Sequence, residues 1–167
     1  MSRTLVLGGS RSGKSAFAES LLAEAGEAGE VTYLATALPR PDDPEWAARV
    51  AAHQARRPST WRTVETLDIA AELYNRGGPV LVDSITLWVA ATMDRPDAER
   101  RVDELCAAWP ATARDVVAVS DEVGSGVVPV SADGRRFRDL LGLVNQRLAA
   151  AADNVHLVVA GLPLRLK

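Results

Sequence analysis

Eight consecutive residues, Gly8-Gly9-Ser10-Arg11-Ser12-Gly13-Lys14-Ser15, follow the pattern G-x-x-x-x-G-K-[ST]. Glycines in such a turn let backbone N–H groups converge, and a concavity of amide donors at a helix N-terminus is a seat for phosphate. Lys14 would reach the β- and γ-phosphates of a nucleoside triphosphate, and the Ser15 hydroxyl would sit on Mg²⁺. This chemistry needs a strand before the loop and a helix after it. Thr4-Leu5-Val6-Leu7 is an apolar run of strand length, and Ala16 to Leu22 carries apolar residues at helical spacing. Pattern and setting agree, so the stretch reads as a P-loop.

Three further groups of residues could do chemistry. Asp83 ends an apolar run, Val80-Leu81-Val82, where P-loop enzymes keep a carboxylate for Mg²⁺ or its water; the competing account is a cap on a helix beginning at Ser84-Ile85-Thr86. Asp121 and Glu122 close another apolar run and suit a base toward an acceptor hydroxyl, a support for the metal, or a solvated turn. His53 has Arg49, Arg56 and Arg57 three or four residues away, on one helical face. Guanidiniums around an imidazole disfavour its protonation and leave a ring nitrogen able to act as nucleophile, while also forming a dock for polyphosphate. The same cations, in the last turn of a helix, also complement its dipole. Cys106 falls at helical spacing with Val102, Leu105 and Trp109 and reads as core, and His156 lies inside an apolar strand and reads as structural.

The elements that must position these groups alternate between strand and helix. Strands are expected at Thr4–Leu7, Val31–Thr36, Val80–Asp83, Asp115–Ser120 and Val155–Val159, with an added edge at Leu164–Lys167. Helices are expected after the P-loop, over Glu45–Arg57 between Pro44 and Pro58, over Leu67–Asn75, over Asp97–Trp109 before Pro110, and through Phe137, Leu140, Leu141, Val144 and Leu148. Gly26 and Gly29 punctuate the first connection. The loops Pro39–Pro44 and Gly124–Gly134 are the expected mobile parts. Alternation of this kind implies an α/β fold, a mainly parallel sheet with helices on both faces and ligands at the strands' carboxyl ends.

At 167 residues and 47% hydrophobic content, the chain suits one domain spanning residues 1–167. Its net charge of −3 argues against general nucleic-acid or anionic-membrane binding. One cysteine excludes an intrachain disulfide and fits a reducing compartment. Apolar runs stay well short of the ~20 residues of a membrane span, and the start of the chain reads directly into a strand, so a cytoplasmic protein is expected.

The sequence resembles the bifunctional adenosylcobinamide kinase/adenosylcobinamide-phosphate guanylyltransferase family from Thr4 nearly to Lys167. The resemblance rests on the P-loop, on Ala48-Arg49-Val50 with His53 and Arg57-Pro58, and on Trp61-Arg62-Thr63-Val64-Glu65. Asp83 with Thr86, Glu122 through Pro129, Phe137-Arg138-Asp139 and Val144-Asn145-Gln146-Arg147 complete the ordered set. Val130 stands where the family has an acidic residue and Ala91 where asparagine is common, positions that bear on corrinoid contacts and subunit packing.

The resemblance implies a RecA-like P-loop NTPase fold and two activities. One phosphorylates the aminopropanol hydroxyl of adenosylcobinamide with ATP or GTP. The other passes GMP from GTP to that phosphate through a guanylylated histidine, giving adenosylcobinamide-GDP and pyrophosphate. His53 occupies the guanylylated position. Thr36, Gln54, Ala55, Arg56, Arg57, Glu65 and Asp83 would line the nucleotide, with Glu65 chemically suited to guanine's N1–H and amino group or to ribose hydroxyls. The family tends toward homo-oligomers, trimers among them. Two rival readings stay open on the residues: a one-activity P-loop kinase in which His53 only binds phosphate, and a nucleotide-sensing module without turnover. The absence of an N-K-x-D motif disfavours a regulatory GTPase.

Overall fold

The computed structural model describes residues 1–24, 30–37 and 42–167, with side chains for all of these except Glu24, Trp46, Arg49, His53 and Arg56. Gly26 and Gly29, and the turn residues Pro39 and Pro41, lie outside the described residues. The first half of the chain runs β1 (Arg3–Gly8), α1 (Lys14–Glu24), β2 (Thr32–Ala35), α2 (Pro44–Arg56), β3 (Arg62–Glu65), α3 (Ile69–Tyr74), β4 (Val80–Asp83) and α4 (Ile85–Thr92). The second half runs α5 (Ala98–Ala111), β5 (Val116–Asp121), α6 (Ala132–Ala151), β6 (Asn154–Val159) and β7 (Leu162–Arg165).

The strands form one sheet in the order β3-β2-β4-β5-β1-β6-β7, parallel throughout except for the β6–β7 pair. Strands β1, β4 and β5 are runs of Leu, Val and Ala because both their faces are covered. Leu5, Val82 and Ala118 face α3, α4, α5 and α6, whose Leu73, Trp88, Trp109 and Val144 complete that core. The alternate residues Val6, Leu81, Val117 and Val119 face α1, through Ala18 and Leu22. Helices therefore cover both faces, as the alternation of elements predicts.

Several departures have clear causes. Strand β3 was not expected, because an exposed edge strand of sequence Arg-Thr-Val-Glu carries no apolar run; it forms by pairing with β2. Helix α4 exists in its own right, its first turn capped by Ser84 Oγ, which accepts from Leu87 N at 3.2 Å. Helix α5 continues through Pro110 to Ala111. A proline in the last turn costs little there, since Thr112 N still reaches Ala108 O at 3.0 Å and Arg3 Nη1 donates to the Pro110 carbonyl at 3.0 Å.

The expected edge strand arrives two residues early, as β7. Val159 pairs with Leu162 across a two-residue turn, Ala160 and Gly161, both left-handed at φ 53° and 81°, the conformation a tight right-twisted hairpin requires. The stretch from Gly124 is bonded to α6, Arg138 Nη2 donating to Gly124 O at 2.6 Å and Arg135 Nη1 to Val130 O at 2.8 Å. Its last residues, from Ala132, already belong to that helix. Cys106 packs half-buried against the larger core. His156 stacks edge-on to Phe17 of α1, ring centroids 5.1 Å apart, and its pKa is lowered by burial and then by Arg165, in keeping with a packing role.

Candidate functional site

The P-loop leaves β1 at the carboxyl edge of the sheet and enters α1 at Lys14. Arg11 and Gly13 adopt φ of 55° and 92°, on either side of Ser12. Left-handed residues interspersed in this way turn successive N–H groups inward, which is the backbone condition for an anion seat. The hairpin turn between β6 and β7 holds the loop from outside, Gly161 N donating to Ser12 O at 2.8 Å. A Cβ on Gly13 would lie 3.2 Å from Gly161 Cα, and one on Gly8 would lie 2.7 Å from Val158 O and against the Ser12 hydroxyl. Both glycines are therefore dictated by close approach. Gly9 and Ser10 complete the turn and are exposed, and Ser12 is buried.

Lys14 is gathered into this loop. Its Nζ lies 2.5 Å from Asp121 Oδ1 and donates to Gly9 O at 3.1 Å. Asp121 is held in turn by two helices of the opposite face. Its N–H donates to Thr86 Oγ1 of α4 at 2.7 Å, and its carbonyl accepts from Asn145 Nδ2 of α6 at 3.1 Å. Buried Ser120 donates to Asn145 Oδ1 at 2.6 Å and fixes that amide's orientation. The neighbouring Glu122 accepts from Gly124 N at 2.6 Å and so shapes its own turn.

Asp83, at the end of β4, shares the α1 face of the sheet with Asp121, since both alternate with core residues of that face. Its Oδ2 accepts from Tyr33 OH at 2.6 Å. The cap on α4 is Ser84, so the capping account of Asp83 does not describe this protein. Tyr33 is buried, and burial first, then the Asp83 charge, push its hydroxyl well above the ordinary tyrosine range, keeping it a donor. Over the Tyr33 ring, 3.4 Å from its centroid, sits the Arg57 guanidinium, which also donates to Thr63 Oγ1 of β3 at 3.2 Å. Sequence reasoning missed Tyr33; the signal was a lone aromatic, one strand over and two residues back from Asp83, visible only once β2 and β4 are known to pair.

The remaining expected residues divide by position. Thr36 is fully buried, its hydroxyl donating to Ser84 O at 2.6 Å and accepting from Ser84 N at 2.9 Å, so it clasps the backbone beside Asp83. Gln54 and Ala55 are exposed on α2, and Glu65 is exposed at the end of β3. His53 and Arg56 lie on the same helix; of the expected ring about the imidazole, the side chains of His53, Arg49 and Arg56 lie outside those described, and Arg57 sits over Tyr33. Four strand spacings separate β3 from β1, about 19 Å across the sheet. The structure thus brings Lys14, Asp121 and the loop together at β1, groups Arg57 and Asp83 around Tyr33 with Thr36 on the backbone beside Asp83, and leaves Glu65 at the far edge. A shallow groove lined by Leu22, Val31, Pro58 and Trp61 opens at the opposite end of β2 and β3 and takes no part in this edge.

A strand interposed between the P-loop strand and the strand bearing the acidic residue, in a parallel sheet with helices on both faces, defines the class as a RecA-like P-loop NTPase fold. Solved structures agree at the level of fold: the flagellar accessory protein FlaH of Methanocaldococcus jannaschii matches with TM-score 0.54 at 12% identity over 99% of this chain and 78% of its own. A type III secretion ATPase of pathogenic bacteria matches with TM-score 0.59 at 12% identity over 98% of this chain and 57% of its own. Within that class the chain belongs to the family described as cobinamide kinase / cobinamide phosphate guanyltransferase, whose profile matches residues 4–166. It is 42% identical to the bifunctional adenosylcobalamin biosynthesis protein CobP of Pseudomonas aeruginosa, over 99% of this chain and 97% of that one. To the protein of the same description, CobU, of Salmonella typhimurium it is 39% identical over 98% of each. The protein is accordingly a bifunctional enzyme of cobalamin biosynthesis, a kinase and a guanyltransferase, as the resemblance implies.

Proposed function

We propose that one domain, residues 1–167, carries both reactions along the carboxyl edge of its sheet, with the P-loop serving phosphate and His53 serving as the guanylylated nucleophile. In the kinase step an acceptor hydroxyl oxygen of adenosylcobinamide attacks the γ-phosphorus of ATP or GTP. The new O–P bond forms as the bond to the β-phosphate oxygen breaks, and the nucleoside diphosphate leaves. Lys14 and the loop amides hold the phosphates in line and neutralise charge that builds on them. In the transferase step a neutral ring nitrogen of His53 attacks the α-phosphorus of GTP, forming N–P and releasing pyrophosphate. An oxygen of adenosylcobinamide phosphate then attacks that phosphorus, and the N–P bond breaks to regenerate the imidazole.

What supports this reading is the linkage from α2 to the acidic end of β4. Arg57, one residue beyond α2, stacks on Tyr33, whose hydroxyl reaches Asp83, so the end of the helix bearing His53 is moored on the α1 face at β2 and β4. Ser15, opening α1, and Asp83 are hard oxygen donors on that same face and fit Mg²⁺, which they would hold together with phosphate oxygens. When bound, the ion would neutralise phosphate charge. Arg56, Arg57, Gln54, Ala55 and Glu65 would meet the guanine nucleotide on the β2–β3 side of the same sheet edge.

The acceptor is a corrinoid, and the partners are nucleotides rather than nucleic acid. Among the described residues no helix is long and apolar enough to cross a membrane, in keeping with a cytoplasmic enzyme. Leu162, Leu164 and Leu166 leave the β7 edge exposed, a surface suited to a homo-oligomer such as a trimer. The deciding experiment incubates the protein with GTP labelled at the α-phosphorus. An acid-labile protein–GMP adduct that is lost on adding adenosylcobinamide phosphate supports the reading; its absence means that GMP passes without a covalent histidine intermediate and overturns the role given to His53.

A further inference from the structure

The reaction scheme assigns no role to Asp121, yet it is bonded from several sides at the ligand edge. It lies 2.5 Å from Lys14 Nζ, and both partners are largely withdrawn from solvent, at 13% exposure for the lysine and 26% for the aspartate. An ammonium has three donors. Gly9 O and Asp121 Oδ1 engage two of them, which aims the third along one direction. The aspartate's own backbone is clamped at its N–H by Thr86 and at its carbonyl by Asn145, and Ser120 fixes Asn145, so two helices of the opposite face hold this residue in register with Gly8.

We propose that Asp121 is a positioning residue for Lys14: it directs the ammonium across the mouth of the P-loop and, as a fixed negative charge, competes with the nucleotide's phosphoryl oxygens for it. A triphosphate brings its own negative charge to the same ammonium. Each phosphate oxygen that approaches Lys14 must therefore share it with, or take it from, Asp121. The carboxylate weakens ground-state binding and sharpens the direction from which phosphate is gripped. An amide of the same shape keeps an acceptor oxygen and the backbone clamps but removes the competing charge.

The proposal rests on the P-loop reading, and the test separates the two. Binding of a fluorescent non-hydrolysable ATP analogue is titrated with the full-length protein, its Asp121→Asn and Asp121→Ala variants, and each of these combined with Lys14→Ala. Circular dichroism and the thermal midpoint confirm that each variant is folded. Failure of the unaltered protein to bind the analogue defeats the P-loop reading. If that protein binds, Asp121→Asn is expected to bind about tenfold tighter, the scale of one charge-assisted hydrogen bond removed from competition. The gain should disappear in the Lys14→Ala background. In the kinase reaction Asp121→Asn should lower KM and largely retain kcat, whereas Asp121→Ala, which loses the guiding acceptor too, should lose kcat.

Unchanged or weaker binding by Asp121→Asn overturns the proposal, as does an equal gain without Lys14, which would mean general repulsion acting on the nucleotide. A hundredfold loss of turnover in Asp121→Asn with unchanged affinity also overturns it and makes the carboxylate a base toward the acceptor hydroxyl instead.

Discussion

Tyr33 on β2 donates its hydroxyl to Asp83 on β4 at 2.6 Å, and through that bond the edge of the sheet nearest α2 is fastened to the carboxylate that suits a metal. The pair is diagonal: Tyr33 stands opposite Leu81, and Asp83 comes two residues later on the same face. Removing the hydroxyl in Tyr33→Phe leaves the ring under Arg57 but takes away the hydrogen bond that Tyr33 donates to the carboxylate. Groups that orient a metal-binding carboxylate typically matter ten- to a hundredfold. The expected outcome is an apparent Mg²⁺ affinity lower by roughly tenfold with little change in thermal midpoint, read from the Mg²⁺ dependence of kinase turnover. Equal Mg²⁺ dependence in the two proteins would show that the bond is structural only.

His53→Ala should lower GMP transfer by at least about 10³-fold, since no second nucleophile replaces it, while much of the kinase rate survives. Lys14→Ala should depress both reactions by roughly 10²-fold, because both need the phosphates placed. Separate assays of γ-phosphate transfer and α-phosphate adduct formation check the contrast. Full guanylyl transfer by His53→Ala would defeat the assignment of that residue.

Two glycines should respond in opposite directions to alanine. Gly13 is left-handed and faces Gly161 closely, so Gly13→Ala is expected to destabilise the fold by about 1–2 kcal/mol and to impair nucleotide binding. Gly142 lies exposed within α6 with open space at its Cβ, so Gly142→Ala should stabilise by about 1 kcal/mol and leave binding unchanged. Denaturant titration of both variants reads the difference directly.

The N-terminal strand carries an acid-sensitive pairing. Arg3 grips Asp153 with two side-chain bonds, at 2.8 and 2.9 Å, and its N–H adds a third at 2.8 Å. The hydrogen bonds to Arg3 hold the Asp153 carboxyl down at about 2. A depressed carboxylate contributes stability that is present above the unfolded value of about 3.9 and is lost as pH falls through the folded one. Asp153→Asn should therefore flatten the acid limb of the stability curve between about pH 4 and 2, and the effect should shrink in 1 M salt because the pair is exposed. Urea unfolding across that pH range is the measurement; parallel acid limbs would refute the pairing's role.

How far the chain could be read in advance depends on whether a signal is local. Val80–Asp83 and Val116–Asp121 announce themselves as strands because a strand covered on both faces must be apolar along its length. The P-loop announces itself because its geometry demands glycine where backbone meets backbone. Arg62–Glu65 does not, since an edge strand is defined by its neighbour β2 and not by its own residues. Pro110 misled in the same way: a proline ends a helix in isolation, but a terminal turn whose carbonyl is taken by Arg3 tolerates it.

From its residues alone this protein is legible as a mainly parallel α/β fold with a P-loop over Gly8–Ser15, because apolar spacing and glycine placement are properties of neighbours along the chain, and the family shows in an ordered set of motifs. That Lys14 meets Asp121, that Tyr33 meets Asp83, and that Glu65 stands four strands from Gly8 were decided only by the order in which strands pair. Strand order is a contest among distant segments for the same hydrogen bonds and the same buried faces, and it resolves only when the whole sheet is assembled.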